Sequence, residues 1–196
     1  MTAVAVATVL AAGQLPALAS GNIPAVALPA GVTAVDPPSG EIKLLDGTYN
    51  LVNVGSNKCM GVSGSSGALG ASVVQWACDG TSNQSMLIRP ISDAPPGHTD
   101  YGWHTINPDH TINMCLGVSG GSQIPGTKLV QWTCQSSANF HYRFIDVDGF
   151  GISGAIQVRH SNQVVGIAHA STQNGALAVQ WGWSNVLDQR WFWDSV

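Results

Sequence analysis

Residues 59–78 read CMGVSGSSGALGASVVQWAC, residues 115–134 read CLGVSGGSQIPGTKLVQWTC, and residues 164–183 read VVGIAHASTQNGALAVQWGW. These are three copies of one twenty-residue unit in register. Each copy has a Gly two residues after its first position and a Gln-Trp pair beginning sixteen residues after it: Gln75-Trp76, Gln131-Trp132 and Gln180-Trp181. The copies start fifty-six and then forty-nine residues apart, and the difference falls in the inter-repeat loop around residues 94–102. Self-similarity at such a period marks a repeat architecture, in which one unit alone cannot bury its hydrophobic face.

Working outward, the local code is strand and turn. YNLVNV (49–54), HTINPD (104–109) and AIQVRH (155–160) open the units with alternating apolar residues, as half-buried strands do. SGSSG and SGGSQIPG are turn-rich, and ASTQNG holds the Asn-Gly hairpin signal. After the apolar run to Trp comes a Ser/Asn-rich turn, and each unit closes on an apolar strand: SMLIRPI (85–91), HYRFIDV (141–147) and RWFWDSV (190–196). Three such units closing on one another bury a common face and leave no open sheet edge. The pattern predicts an all-β barrel of three four-stranded repeats, at about 47–93, 101–148 and 154–196.

Four cysteines allow three connectivities, and the repeat selects Cys59–Cys78 and Cys115–Cys134, each nineteen apart in equivalent segments. In the third copy Val164 and Trp183 occupy both half-cystine positions. A disulfide over such a loop is worth about 3 kcal/mol, and burial of a Trp–Val contact supplies a comparable amount. Neither cysteine spacing fits a zinc site, and the six histidines show no H-E-x-x-H spacing, so no metal or cofactor is expected.

Residues 1–19 carry no charge, a run of small apolar residues and an Ala17-Leu18-Ala19 sequence, the pattern of a secretory signal peptide. Gln14 and Pro16 interrupt a stretch too short for a membrane span. Residues 20–46, with Pro24, Pro29, Pro37 and Pro38, read as an extended Pro-rich spacer. A secreted, extracellular protein is expected, consistent with paired cysteines. Charged residues make up 9% of the chain and glycines number 23, which suits short strands and tight turns rather than long amphipathic helices. The net charge of −4, with seven Lys and Arg spread singly, excludes the basic stripe that nucleic acid requires.

Cys-x-x-Val, a Trp two residues before a second Cys, and then Asn-Gln-x-Trp resembles the ricin B-type lectin repeat. Here the closing motif reads Asn83-Gln84-Ser85-Met86, Asn139-Phe140-His141-Tyr142 and Asp188-Gln189-Arg190-Trp191. The resemblance covers roughly residues 47–196 and implies a β-trefoil with pseudo-three-fold symmetry and a shallow sugar pocket on each repeat. In that family a carboxylate just after the first Cys and a Gln two before the Trp bind hydroxyls. The Trp stacks on the C–H face of the sugar, as an aromatic platform can, and the Asn-Gln pair completes the site.

Transferred by position, the resemblance implies Trp76, Trp132 and Trp181 as platforms, with Asn83, Gln84, Asn139, Asp188 and Gln189 as the polar partners. The carboxylate position, however, is Gly61, Gly117 and Gly166, and the hydroxyl-binding Gln position is Val74, Val130 and Val179. Gln75, Gln131 and Gln180 are expected to face away from the platform, since side chains alternate along a strand. Gly117-Val118-Ser119-Gly120-Gly121 matches the G-x-S-x-G string, but no helix pattern follows it, so it reads as a turn. The reading is a non-enzymatic, secreted, lectin-like module with up to three altered sugar sites and glycans or polysaccharide as partners. The rival is a secreted trefoil scaffold, inhibitor-like or toxin-associated, that binds a protein partner. Exposure of Trp76 and Trp181 beside polar groups favours the first; their burial favours the second.

Overall fold

A computed structural model describes residues 40–42, 46–91, 102–151 and 153–196. The segment read as a signal peptide and most of that read as a spacer lie outside the described residues. Apart from short 3₁₀ turns, the regular secondary structure of the described residues is all strand: β1 (Gly40–Ile42), β2 (Gly47–Asn53), β3 (Lys58–Val62), β4 (Val73–Trp76), β5 (Ser85–Pro90), β6 (His104–Pro108), β7 (Met114–Val118), β8 (Leu129–Thr133), β9 (Tyr142–Asp146), β10 (Ser153–Val158), β11 (Val164–Ile167), β12 (Ala178–Trp181) and β13 (Trp191–Ser195). Each repeat therefore supplies the four strands its turn pattern predicts. No helix among the described residues is long and apolar enough to cross a membrane.

The first and fourth strands of each repeat close a six-stranded antiparallel barrel, in the order β2, β5, β6, β9, β10, β13 and back to β2. The middle strands form three hairpins, β3–β4, β7–β8 and β11–β12, that cap one end. This is a β-trefoil. Strand β1 adds to the outside of β9, Gly40 opposite Asp146; residues 40–42 of the segment read as spacer thus extend the sheet.

Period-two alternation carries the same positions of every repeat into one core. Leu51, Ile106 and Ile156 come from the first strands, Met60, Leu116 and Val165 from the second, and Val73, Leu129 and Ala178 from the third; all are fully buried. The fourth strands add Met86, Tyr142 and Trp191, also fully buried. The third repeat thus combines the smallest residue at one level with the largest at another, which keeps a shared core at constant volume. Trp191 also donates its indole N–H to Val165 O at 2.8 Å.

Both disulfides, Cys59–Cys78 and Cys115–Cys134, form as the repeat requires. In the third repeat Val164 and Trp183 lie in one buried cluster with Ile145 and Ala155, so an apolar contact stands where the other two repeats are cross-linked.

The hairpins are tied in a ring. Gln75 N–H donates to Ala176 O and Gly175 N–H returns a bond to Gln75 O; Gln131 pairs likewise with Ala71 and Gly70, and Gln180 with Thr127 and Gly126. The side chains of these fully buried glutamines repeat the theme. The Gln75 amide donates to Ser171 O and Gln173 O, that of Gln131 to Ser66 O and Ala68 O, and that of Gln180 to Ser122 O and Ile124 O. Each repeat therefore holds the hairpin loop of another.

Candidate functional site

With Val73 in the core and Gln75 in the ring, alternation turns Val74 and Trp76 outward, and the same holds on β8 and β12. Trp76, Trp132 and Trp181 are 47%, 39% and 43% exposed. One edge of each indole rests on another repeat's loop. A Cβ added at Gly175, Gly70 or Gly126 would lie 3.7, 3.6 or 2.8 Å from the Cζ3 of Trp76, Trp132 or Trp181. Those glycines have φ of +82°, +79° and +84°, a conformation that itself favours glycine. The platforms are thus exposed on one side and braced on the other.

Asn83 and Gln84 lie together at the closing turn of the first repeat, but they face different ways. Gln84 is 1% exposed. Its Oε1 accepts from Asp79 N–H at 3.0 Å and its Nε2 donates to Ala77 O at 2.8 Å. Gln189 repeats this geometry, accepting from Ser184 N–H at 2.8 Å and donating to Gly182 O at 2.7 Å. Both glutamines therefore clamp the loop that follows the platform strand, with their amides engaged by backbone. Asn83 Nδ2 donates to Val62 O at 3.0 Å, and Asn139 Nδ2 to Val118 O at 3.4 Å.

In the second repeat Phe140 takes the clamp's place and is buried, 5% exposed. It explains Gly117. A Cβ at Gly117 would lie 2.4 Å from Phe140 Cε1, while at Gly61 and Gly166 it would lie 3.1 Å from the Cγ of Gln84 and Gln189. None of these three glycines has a positive φ, so they are there for space. The closing-turn side chain lies against the strand where the family's carboxylate would project.

Two clefts open beside these elements. The first, about 180 Å³, is lined by Trp76, Ser63, Asp79, Thr81 and Asn83 among others. The second, about 430 Å³, is lined by Trp132, Ser119, Lys128, Gln135, Asn139 and the edge of Phe140 among others. Asp79 is a residue that sequence reasoning missed. It directly follows Cys78, where the other repeats have Gln135 and Ser184, so the repeat pattern carries no signal for it.

The Asp79 Oδ1 accepts from Thr81 N–H at 3.1 Å and from the Thr81 hydroxyl at 2.5 Å. Those bonds, the hydroxyl's first, hold the carboxyl below its usual range. The Thr81 hydroxyl also lies 2.6 Å from Asn83 Oδ1. An ionised carboxylate, a hydroxyl and an amide thus line one wall, with the indole of Trp76 in the same cleft. That combination offers a C–H stacking face together with donors and acceptors for hydroxyls.

In the third repeat a carboxylate lies beside the glycine: Asp188 Oδ2 is 3.3 Å from the Cβ position of Gly166. Asp188 is half-buried, and burial pushes its carboxyl above the usual range. Among the described residues no three His, Cys, Asp or Glu side chains group as a metal site.

The chain matches the ricin-type β-trefoil lectin domain over residues 47–191. No curated protein matches it. Among solved structures it is similar to the designed three-fold symmetric protein ThreeFoil, at 26% identity and TM-score 0.69, over 77% of this chain and 100% of that one. It is similar to an exo-β-1,3-galactanase from Clostridium thermocellum, at 25% identity and TM-score 0.68, over 76% of this chain and 30% of the galactanase. The fold is also that of a Macrolepiota procera ricin B-like lectin solved with lactose, at 19% identity and TM-score 0.62, over 79% of this chain and 100% of the lectin. From its three-fold frame and the match across all three repeats, the chain belongs to the ricin-type β-trefoil lectin family.

Proposed function

We propose that the protein is an exported carbohydrate-binding module that acts by binding rather than catalysis, with the first cleft as its principal site. The observation that carries this is the half-exposed Trp76 lining one cleft with Asp79, Thr81 and Asn83. A pyranose stacks on the indole while its hydroxyls meet the free Asp79 Oδ2 and the Thr81–Asn83 pair. Asp79 does the work of the carboxylate that Gly61 cannot supply. Up to three such sites on one rigid body gain avidity on a polysaccharide or glycosylated surface.

The test is pull-down on insoluble polysaccharides with a glycan array, comparing the wild type with Trp76→Ala and Asp79→Asn. A bound neutral glycan should lose at least about tenfold in affinity in either variant, since a hydrogen bond to a charged group is worth about 1.5–3 kcal/mol. A blank on both formats retires the reading. Exposure of the platforms beside polar groups is what favours it over a protein-binding scaffold.

A further inference from the structure

The two clefts differ in charge. The first has one ionisable group in its lining, Asp79, and no cation; the second has Lys128 and no carboxylate. Neither charge is part of the repeat pattern, because the position of Lys128 is Ser72 in the first copy and Leu177 in the third.

Lys128 precedes β8 on the face shared with Val130 and Trp132, both of which line the second cleft. It lies four residue steps before Trp132 along the chain, roughly 13 Å at 3.3 Å per residue, which is longer than one pyranose. Among the described residues its hydrogen-bond partner is Ser72 Oγ, at 3.0 Å. An ammonium has three N–H donors, so two are left for a ligand. The cleft of about 430 Å³ against about 180 Å³ for the first has room for more than one sugar unit.

We propose that the second cleft takes an acidic oligosaccharide, one ring stacked on Trp132 and the carboxylate or sulfate of a neighbouring unit paired with Lys128, whereas the first cleft, walled by Asp79, takes uncharged sugars. This rests on reading the clefts as sugar sites. Lys128 is then the residue that sets specificity at the second cleft, and the chain sorts two kinds of sugar on two faces of one trefoil.

The test is titration calorimetry of three trisaccharides of one length: neutral galactotriose, trigalacturonate and a sulfated galactotriose. A Trp76→Ala, Trp181→Ala background leaves the second cleft as the platform being read. At low salt an acidic trimer should bind about tenfold more tightly than the neutral one. Molar salt should remove that preference, because it screens charge within a few ångströms. Lys128→Gln should abolish the preference and Lys128→Arg should keep it, which separates the charge from any effect on folding. Which acidic trimer responds identifies the acid as carboxylate or sulfate ester. Equal binding of acidic and neutral trimers, or a preference that survives Lys128→Gln, overturns the proposal. Neutral binding alone would sink the charge assignment and leave the sugar reading intact; binding by the wild type but not by the background would sink the second-cleft proposal and leave the first-cleft reading standing; no binding by either would sink both.

Discussion

The first and second repeats each have a disulfide, a platform Trp and a strand glycine, yet they differ in the closing-turn residue that faces that glycine: Gln84 in the first, Phe140 in the second. Gln84 makes two hydrogen bonds to the loop after the platform strand, and the cleft beside it is the smaller one. Phe140 makes no such clamp and instead packs its ring onto Gly117. The closing turn thus shapes the cleft. The amide that looks like a sugar ligand in the sequence is part of the wall.

The largest effect is expected from returning the family's carboxylate to the strand. Gly117→Asp drives a side chain into the Phe140 ring and buries a charge, and should cost more than about 3 kcal/mol in denaturant unfolding. Gly61→Asp should cost clearly less, because its Cβ would lie 3.1 Å from Gln84 Cγ, against 2.4 Å from the Phe140 ring at Gly117. Adding Phe140→Gln to Gly117→Asp should recover part of the loss; no recovery would show that the two positions are not coupled. Next in size, Gln84→Ala strands Asp79 N–H and Ala77 O, and a cost of about 1–3 kcal/mol is expected. An unchanged unfolding midpoint would mean that the loop is held by other contacts.

The comparison sharpens in the buried ring. Ser56 Oγ donates to Gln75 Oε1 and Ser161 Oγ to Gln180 Oε1. The equivalent position in the second repeat is the exposed Ile112, and Gln131 Oε1 is buried with no hydrogen-bond partner among the described residues. Ile112→Ser should therefore stabilise the fold by about 0.5–1.5 kcal/mol, read as a higher melting temperature.

The smallest effect is expected at Asp188, where the other repeats have Asn. Its raised carboxyl pKa means that the folded chain holds that proton more tightly than the unfolded chain. Its contribution to stability therefore falls as pH rises from the ordinary carboxylate range through the raised value. Asp188→Asn removes that loss and supplies the amide donor that Asn83 uses toward Val62 O. A gain of about 0.5–1 kcal/mol is expected at neutral pH, shrinking as the medium is acidified. A gain independent of pH would argue against the ionised Asp188 as its source.

The fold was legible because its signals come in triplicate. The Gln-Trp register locates three cap hairpins, and the paired replacement of both half-cystines by Val164 and Trp183 points to a contact that the core contains. That Gln75, Gln131 and Gln180 turn away from the platforms was readable from alternation alone. What they hold was not, since their partners are backbone carbonyls of another repeat, which have no residue-type signature. Gln84 and Gln189 illustrate the same limit, because an amide in a turn reads alike whether it faces ligand or loop. Asp79 and Lys128 escaped for the opposite reason. Each occurs in one copy only, and a reading based on what the copies share passes over them.

The ring of glutamines has a topological consequence. Each of its three links joins a platform strand to a loop of another repeat, and the chain's own connections are not among them. Val196 N–H meets Thr48 O at 3.0 Å, so β13 ends beside the start of β2. Joining those ends with a short linker and opening the chain between the first and second repeats would leave all three links intact. The trefoil is in this sense a closed circle whose point of entry is arbitrary, and a circular permutant should refold to the same clefts.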